Sequence, residues 1–393
     1  MAKSQPSSGS ALQAIAELGR PKRDDLAQAG LKELRSGNGN VSDVADDDLP
    51  GFGERLLAVI DEGRRISTYK LAVLLALIDV CAERPNPDGS APVELPTAVI
   101  SRRVAELYWP QVRGYQLGGD TLLLKQITAS RSAVLGAIAE VASQAGERTS
   151  FVPAERRDPA AVSAMVKRVD EVVRNDPLPR LQRVNGADDP FLYDITADHR
   201  VRFKPGASDA LVRLAPLIRP LVELHWVREV ARWNQIATEE RTLHHHLFGV
   251  QRSGFPGTLR NELSLMQGGD CFYCGQALSE ASPIDHFIPW SRYPNDAVEN
   301  LVLCHRGCNG LKSDRLAASR HLADWCRRLI DQEDELRTAA EPARWEIAPA
   351  RSSGIVRSTY THLPEGVPLW KAEGGVERAD PPVLKGILTC CCR

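Results

Sequence analysis

The chain has 393 residues, 25% of them charged, and a formal net charge of −2. That length accommodates two or three domains with a sizeable core, and the near-neutral balance excludes both a polycationic nucleic-acid sponge and an acidic tail. The longest apolar run, residues 71–81, contains Asp79 and is too short to span a bilayer, and the first ten residues hold no apolar signal core, so a cytoplasmic location without membrane contact is expected.

Residues 1–52 are rich in Ser, Gly, Asp and Ala and are expected to form a disordered arm, with a short helix near 11–18. From Gly53 the pattern turns helical. Ser67 and Thr68 can cap a buried helix over 69–81, and Pro96 opens a second whose Ile100, Val104 and Leu107 share a face, ended by Pro110. This pair, carrying Arg102 and Arg103, suits either an ordinary bundle or a winged-helix-like DNA reader, in a domain spanning 53–147. Its last helix is expected over 120–147 on the stripe of Leu122, Ile127, Val134, Ile138 and Val141. Residues 148–255 read as a mixed linker or recognition region: a helix at 160–173, two short strands at 191–195 and 200–204, and a long helix over 208–235 containing Pro216 and Pro220. His244, His245 and His246 would point in three directions from a helix, which makes them solvated or substrate-facing and not a ligand triad. A helix over 258–267 ends at Gly268 and Gly269, a separate module extends over 256–338 with a closing helix to about 338, and 339–393 reads as an irregular tail. The fold class is therefore mainly α with small β elements.

Nine cysteines fall in a telling pattern: four between 271 and 308, three at 390–392, and Cys81 and Cys326 alone within helical stretches as small buried groups. Metal-bound thiolates in a reducing compartment are expected, not a disulfide framework. Cys271 and Cys274 form one pair at two-residue spacing, and His305 and Cys308 repeat it, which favours a closed tetrahedral zinc site of structural purpose. Cys304 stays open as an alternative to His305. A second set is harder in character. Asp285 offers a carboxylate suited to Mg²⁺ or Mn²⁺. Its neighbour His286 reaches the same centre only where the strand bends, since adjacent strand residues face opposite ways. Asn309 directly follows Cys308, so zinc would fix its position.

Cys-x2-Cys, Asp285-His286-x2-Pro289, Asn300-Leu-Val and Cys308-Asn309-x2-Lys312, in this order, resemble the HNH endonucleases with their ββα-metal module. The resemblance covers about 265–325 and extends to the HNH module of RNA-guided CRISPR nucleases, which lacks the knuckle; His305 stands where many members have Cys. It implies a DNA endonuclease leaving 5′-phosphate and 3′-hydroxyl ends. His286 would be the general base, Asp285 and Asn309 the ligands of a divalent cation, and Asn300 the residue that aims the imidazole by bonding the loop behind it. Lys312, Arg315 and Arg292 are candidates for gripping backbone phosphates. An HNH module behind a long helical region is similar to bacterial restriction and phage-defence effectors, which implies double-stranded DNA as substrate and a defence-system partner protein. The competing readings are a zinc-stabilised nucleic-acid-binding protein without cleavage and a nuclease directed by RNA or by a partner.

Overall fold

The computed structural model describes residues 48–61, 66–127, 132–146, 149–184, 186–236, 240–249, 254–372 and 374–390. Of the arm expected over 1–52, residues 1–47 with the short helix lie outside them, and 49–52 instead begin the first helix. The helical half runs through α1 (Leu49–Ile60), α2 (Tyr69–Glu83), strand β1 (Glu94–Pro96), α3 (Thr97–Tyr108), α4 (Ala133–Ala145), α5 (Phe151–Arg157) and α6 (Pro159–Asn175). Strands β2 (Tyr193–Ile195) and β3 (Arg200–Phe203) follow, then the long α7 (Ala207–Trp233) and α8 (Glu240–Phe248). In α2 every residue from 71 to 82 is buried. A helix apolar on all sides belongs at the centre of a bundle, and α3 and α7 pack on it. The three strands pair antiparallel in the order β1-β3-β2.

Burying α2 also buries Asp79, which is 0% exposed. Its carboxylate is met by Arg103 at 2.7 Å and by Arg219 from α7. Such a charge is tolerated in the interior only when paired. Arg102 is likewise engaged, at 2.5 Å from Glu155. Of the two arginines that suited a DNA-reading helix, Arg103 is thus turned into the protein, while Arg102 stays partly exposed beside Glu155.

Three expectations are corrected. The helix predicted over 120–147 begins only at Ala133, where Ser132 caps it by accepting from Leu135 N at 3.1 Å. Residues 115–122 instead form a hairpin turned by Gly118 and Gly119, both at positive φ. The supposed irregular tail is ordered: α13 (Pro349–Thr361), a hairpin of β6 (Pro368–Trp370) and β7 (Val376–Arg378), and α14 (Pro381–Cys390), by way of elements numbered below. A sequence as poor in helix formers as 352–361 folds because Ile355, Val356 and Tyr360 bury themselves, with α13 packed on α2. Gly354 makes that packing possible, since a Cβ there would stand 2.0 Å from the Glu83 carbonyl oxygen. Third, Cys326 is disulfide-bonded and not a lone buried group. Cys81 is buried and free, its thiol pKa pushed up by burial.

Between the helical half and α13 lies the module of α9 (Gly257–Met266), β4 (Ile284–His286), β5 (Leu301–Leu303), α10 (Arg306–Lys312), α11 (Ser319–Asp331) and α12 (Glu333–Ala340). Strands β4 and β5 pair antiparallel, with Asp285 opposite Val302 and His286 opposite Leu301. Leu301 and Leu303 face a small core with Leu259, Leu263 and Leu336, whereas Val302 and Cys304 join the main core. The two strands are therefore buried on both faces, each with its own partner layer.

Candidate active site and metal centre

The chain turns tightly after α9. Cys271 N donates to Gln276 O at 2.8 Å, Gly275 N to Cys271 O at 2.9 Å, and Gly275 takes φ +67°. This turn presents Cys271 and Cys274 toward the start of α10, which brings His305 and Cys308. The four ligand atoms lie within 4.8 Å of one another. A tetrahedral zinc with Zn–S bonds near ~2.3 Å separates its ligand atoms by roughly 3.8 Å, so the cluster fits that ion. The imidazole is already set for it. His305 Nε2 donates to Ala277 O at 3.0 Å, which leaves the lone pair on Nδ1, and Nδ1 is 3.2 Å from Cys274 Sγ. Cys271 Sγ accepts from His305 N at 3.4 Å. Burial raises the Cys271 pKa, but the backbone N–H groups of Cys274, His305 and Tyr273 outweigh it and draw the thiol below its ordinary value. The open alternative is resolved by position: Cys304 is fully buried outside the cluster, and burial with the nearby charges holds its pKa far above normal.

Asp285 and His286 project from opposite faces of β4. Asp285 Oδ2 accepts from the Tyr273 hydroxyl at 2.6 Å and sits 3.0 Å from Lys312 Nζ. Lys312 also donates to the His286 carbonyl at 2.8 Å and is 0% exposed. The phosphate grip expected of Lys312 is corrected: its ammonium is an internal brace tying α10 to the end of β4, and burial pulls its pKa down. Asp285 Oδ1 makes no hydrogen bond among the described residues. A carboxylate with one oxygen braced and one open is the state in which an acidic residue can ligate a cation. Asn309 is half-buried in α10 directly after Cys308, its backbone N bonded to His305 O at 2.9 Å.

On the other face, His286 Nε2 lies 2.7 Å from Asp296 Oδ1. Between these two residues the chain loops out, and Asn300 closes the loop. Its Oδ1 accepts from Ile288 N at 2.8 Å, and its Nδ2 donates to Asn295 O at 2.9 Å and to Ile288 O at 3.2 Å. Buried to 1% exposure, it exchanges bonds a surface side chain would lose to water. The exposed part of His286 lines a cleft of about 590 Å³, whose far wall is built from α7 and α8 by Arg219, Glu223, His244, His245 and Phe248. His244 Nε2 is 3.0 Å from Glu223 Oε2, while His246 turns to the Tyr115 ring. The other two phosphate candidates lie at the surface: Arg315 is exposed and donates to Leu311 O, and Arg292 is half-buried beside Pro289.

Sequence reasoning missed Asp296, Tyr273 and the α7–α8 wall. Asp296 stands four residues before Asn300 and Tyr273 lies within the Cys-x2-Cys turn, but neither spacing names a partner.

A histidine at a strand end, an asparagine-closed loop and a thiolate–imidazole cluster at the following helix together make an HNH nuclease module, and residues 271–318 match the family model of HNH endonucleases. The chain belongs to the family whose model is described as a domain of unknown function, DUF8808; it matches residues 51–247, half of the chain. No curated protein and no solved structure matches the chain. An HNH endonuclease domain implies metal-dependent nuclease activity and a nucleic-acid partner. No helix among the described residues is long and apolar enough to cross a membrane.

Proposed function

We propose that the protein is a cytoplasmic endonuclease that hydrolyses phosphodiester bonds in DNA, in the service of restriction or phage defence. The observation that carries the reaction is His286, fixed by Asp296 on one side and by the Asn300-closed loop on the other, on the wall of an open cleft. Nε2–H donates to Asp296, so the basic lone pair is on Nδ1. His286 then takes the proton of the attacking water through Nδ1, and Asp296 stabilises the imidazolium that results. Asn300 keeps the loop from swinging and so aims the ring. Asp285, through Oδ1, and Asn309 would hold a divalent cation, Mg²⁺ or Mn²⁺. When bound, that ion would supply Lewis-acid chemistry on its own face of β4, opposite the face that carries His286. Tyr273 and Lys312 keep the Asp285 carboxylate oriented for it. Zinc on Cys271, Cys274, His305 and Cys308 would have no open position and so a structural role. Arg292 and Arg315 are the surface cations left to meet backbone phosphates. The defence role rests on the joining of a large helical domain to the nuclease module, with a partner protein of the same system as its expected company.

The test incubates purified protein with plasmid and phage DNA in Mg²⁺, Mn²⁺ or EDTA beside His286→Ala. The variant should lose at least the ~10²–10⁴-fold of general-base catalysis; undiminished cleavage would reject His286 as the base. Equal phage plating on cells carrying either form would remove the defence role.

A further inference from the structure

The cleft beside His286 has one wall from the nuclease module and one from the DUF8808 domain, and its lining does not suit an intact duplex. Duplex DNA carries one backbone charge per ~1.7 Å and is held by arrays of unspent Lys and Arg. Among the described residues the one cation in the lining apart from histidines, Arg219, is 5% exposed and turned toward Asp79 and Glu223. Glu223 adds a negative charge to the same wall. What the cleft does offer is flat rings. Trp290 stands next to His286, ring centroids 5.5 Å apart, and Phe248 and His244 face from α8, themselves 5.5 Å apart. Aromatic faces are what stacks unpaired bases. The volume, about 590 Å³, lies within the ~300–1,000 Å³ of a small-ligand pocket, room for about one or two nucleotides and not for two paired strands.

We infer that this cleft takes an unpaired stretch of a single DNA strand, its bases stacked on Trp290 and Phe248 and its scissile phosphate against His286. Duplex DNA is then cut only where it is opened. The inference rests on the nuclease reading above and narrows it, since the sequence resemblance implied double-stranded DNA.

Binding separates the two. Full-length His286→Ala protein, zinc-loaded and in EDTA, is titrated by fluorescence anisotropy with a labelled single-stranded oligonucleotide and with the blunt duplex of the same sequence. The single strand should bind at least tenfold tighter. Trp290→Ala should weaken that binding about five- to 150-fold, the scale of one stacked base, and Trp290→Phe should restore most of it. Tighter or equal binding of the blunt duplex overturns the inference, as does a Trp290→Ala variant of unchanged zinc content and circular dichroism that binds as before. Cleavage by the parent protein isolates the underlying reading. If neither DNA is cut with any divalent cation, the nuclease assignment fails whatever the binding preference. If blunt duplex is cut as fast as single strands, the nuclease stands and the unpaired-strand inference falls.

Discussion

Asp296 gives the histidine its direction. An imidazole on a strand end has two nitrogens and several rotamers, and a carboxylate 2.7 Å from Nε2 selects one tautomer and one ring orientation. An amide in its place keeps the size but presents no charge to the imidazolium and can offer N–H where an acceptor is needed. Asp296→Asn should therefore lower kcat about 10–100-fold, the usual cost of removing an orienting partner, while KM for an oligonucleotide changes little. A loss confined to KM, with kcat intact, would show that Asp296 touches substrate and does not orient the base. Lys312 makes the complementary case: sequence spacing places it near the site, yet the interior takes its whole side chain, because two oxygens, from Asp285 and the His286 carbonyl, converge there.

At the scale of elements, α10 has only seven residues, too few to persist by its own hydrogen bonds. What anchors it is the cluster at its first turn, since His305 and Cys308 are held against the turn of Cys271 and Cys274. The same helix carries Asn309 and Lys312, so the knuckle's geometry is passed to both, and through Lys312 to Asp285. Cys271→Ser should drop the zinc content, measured by atomic absorption, well below one per chain, and lower the thermal midpoint by several degrees as α10 loses its anchor. Full zinc in the variant would assign the ion elsewhere.

At the scale of the molecule, a chain of half-buried charges joins the two matched domains. Glu106 on α3 is 2.9 Å from Arg103 and 3.6 Å from Arg351 on α13, and Arg351 reaches Glu346 at 2.6 Å and Asn295 at 3.4 Å. Tyr293 donates to Glu83 and lies under the Arg219 guanidinium. Tyr293 and Asn295 belong to the loop that ends in Asp296, so the helical domain holds the strap that orients His286. Burial opposes the charge on Glu106, but Arg103, Arg351 and Arg102 outweigh it and bring its pKa down from 4.5 to about 2. A carboxylate with a depressed folded pKa contributes stability that is complete above its unfolded value, about 4.3–4.5, and lost as pH falls toward about 2. The urea midpoint should fall between about pH 5 and 3, and less steeply in Glu106→Gln. That variant should itself cost about 1–3 kcal/mol at neutral pH, because Arg103 and Arg351 lose one partner while keeping Asp79 and Glu346. An unchanged pH slope would place the acid sensitivity in other carboxylates.

The central helix of the first half was legible because burial on every side leaves an unbroken apolar run. Residues 71–81 read as a buried helix, and the strands at 193–195 and 200–203 lie within the two expected short strands. The thiolate–imidazole cluster was legible for a related reason: ligands meant to share an ion come in close pairs, and pairs two residues apart survive in the sequence as spacing. Tertiary structure alone decided the rest. The choice of His305 over Cys304 depended on which way a backbone turns before α10, not on the residues available. The order of 349–390 came from apolar side chains finding α2 across some 270 residues, with Gly354 permitting the approach. The pairing of His286 with Asp296, and the wall that α7 and α8 raise opposite them, have no local signature, because a contact made across a loop or between domains is set by packing and leaves no repeat along the chain.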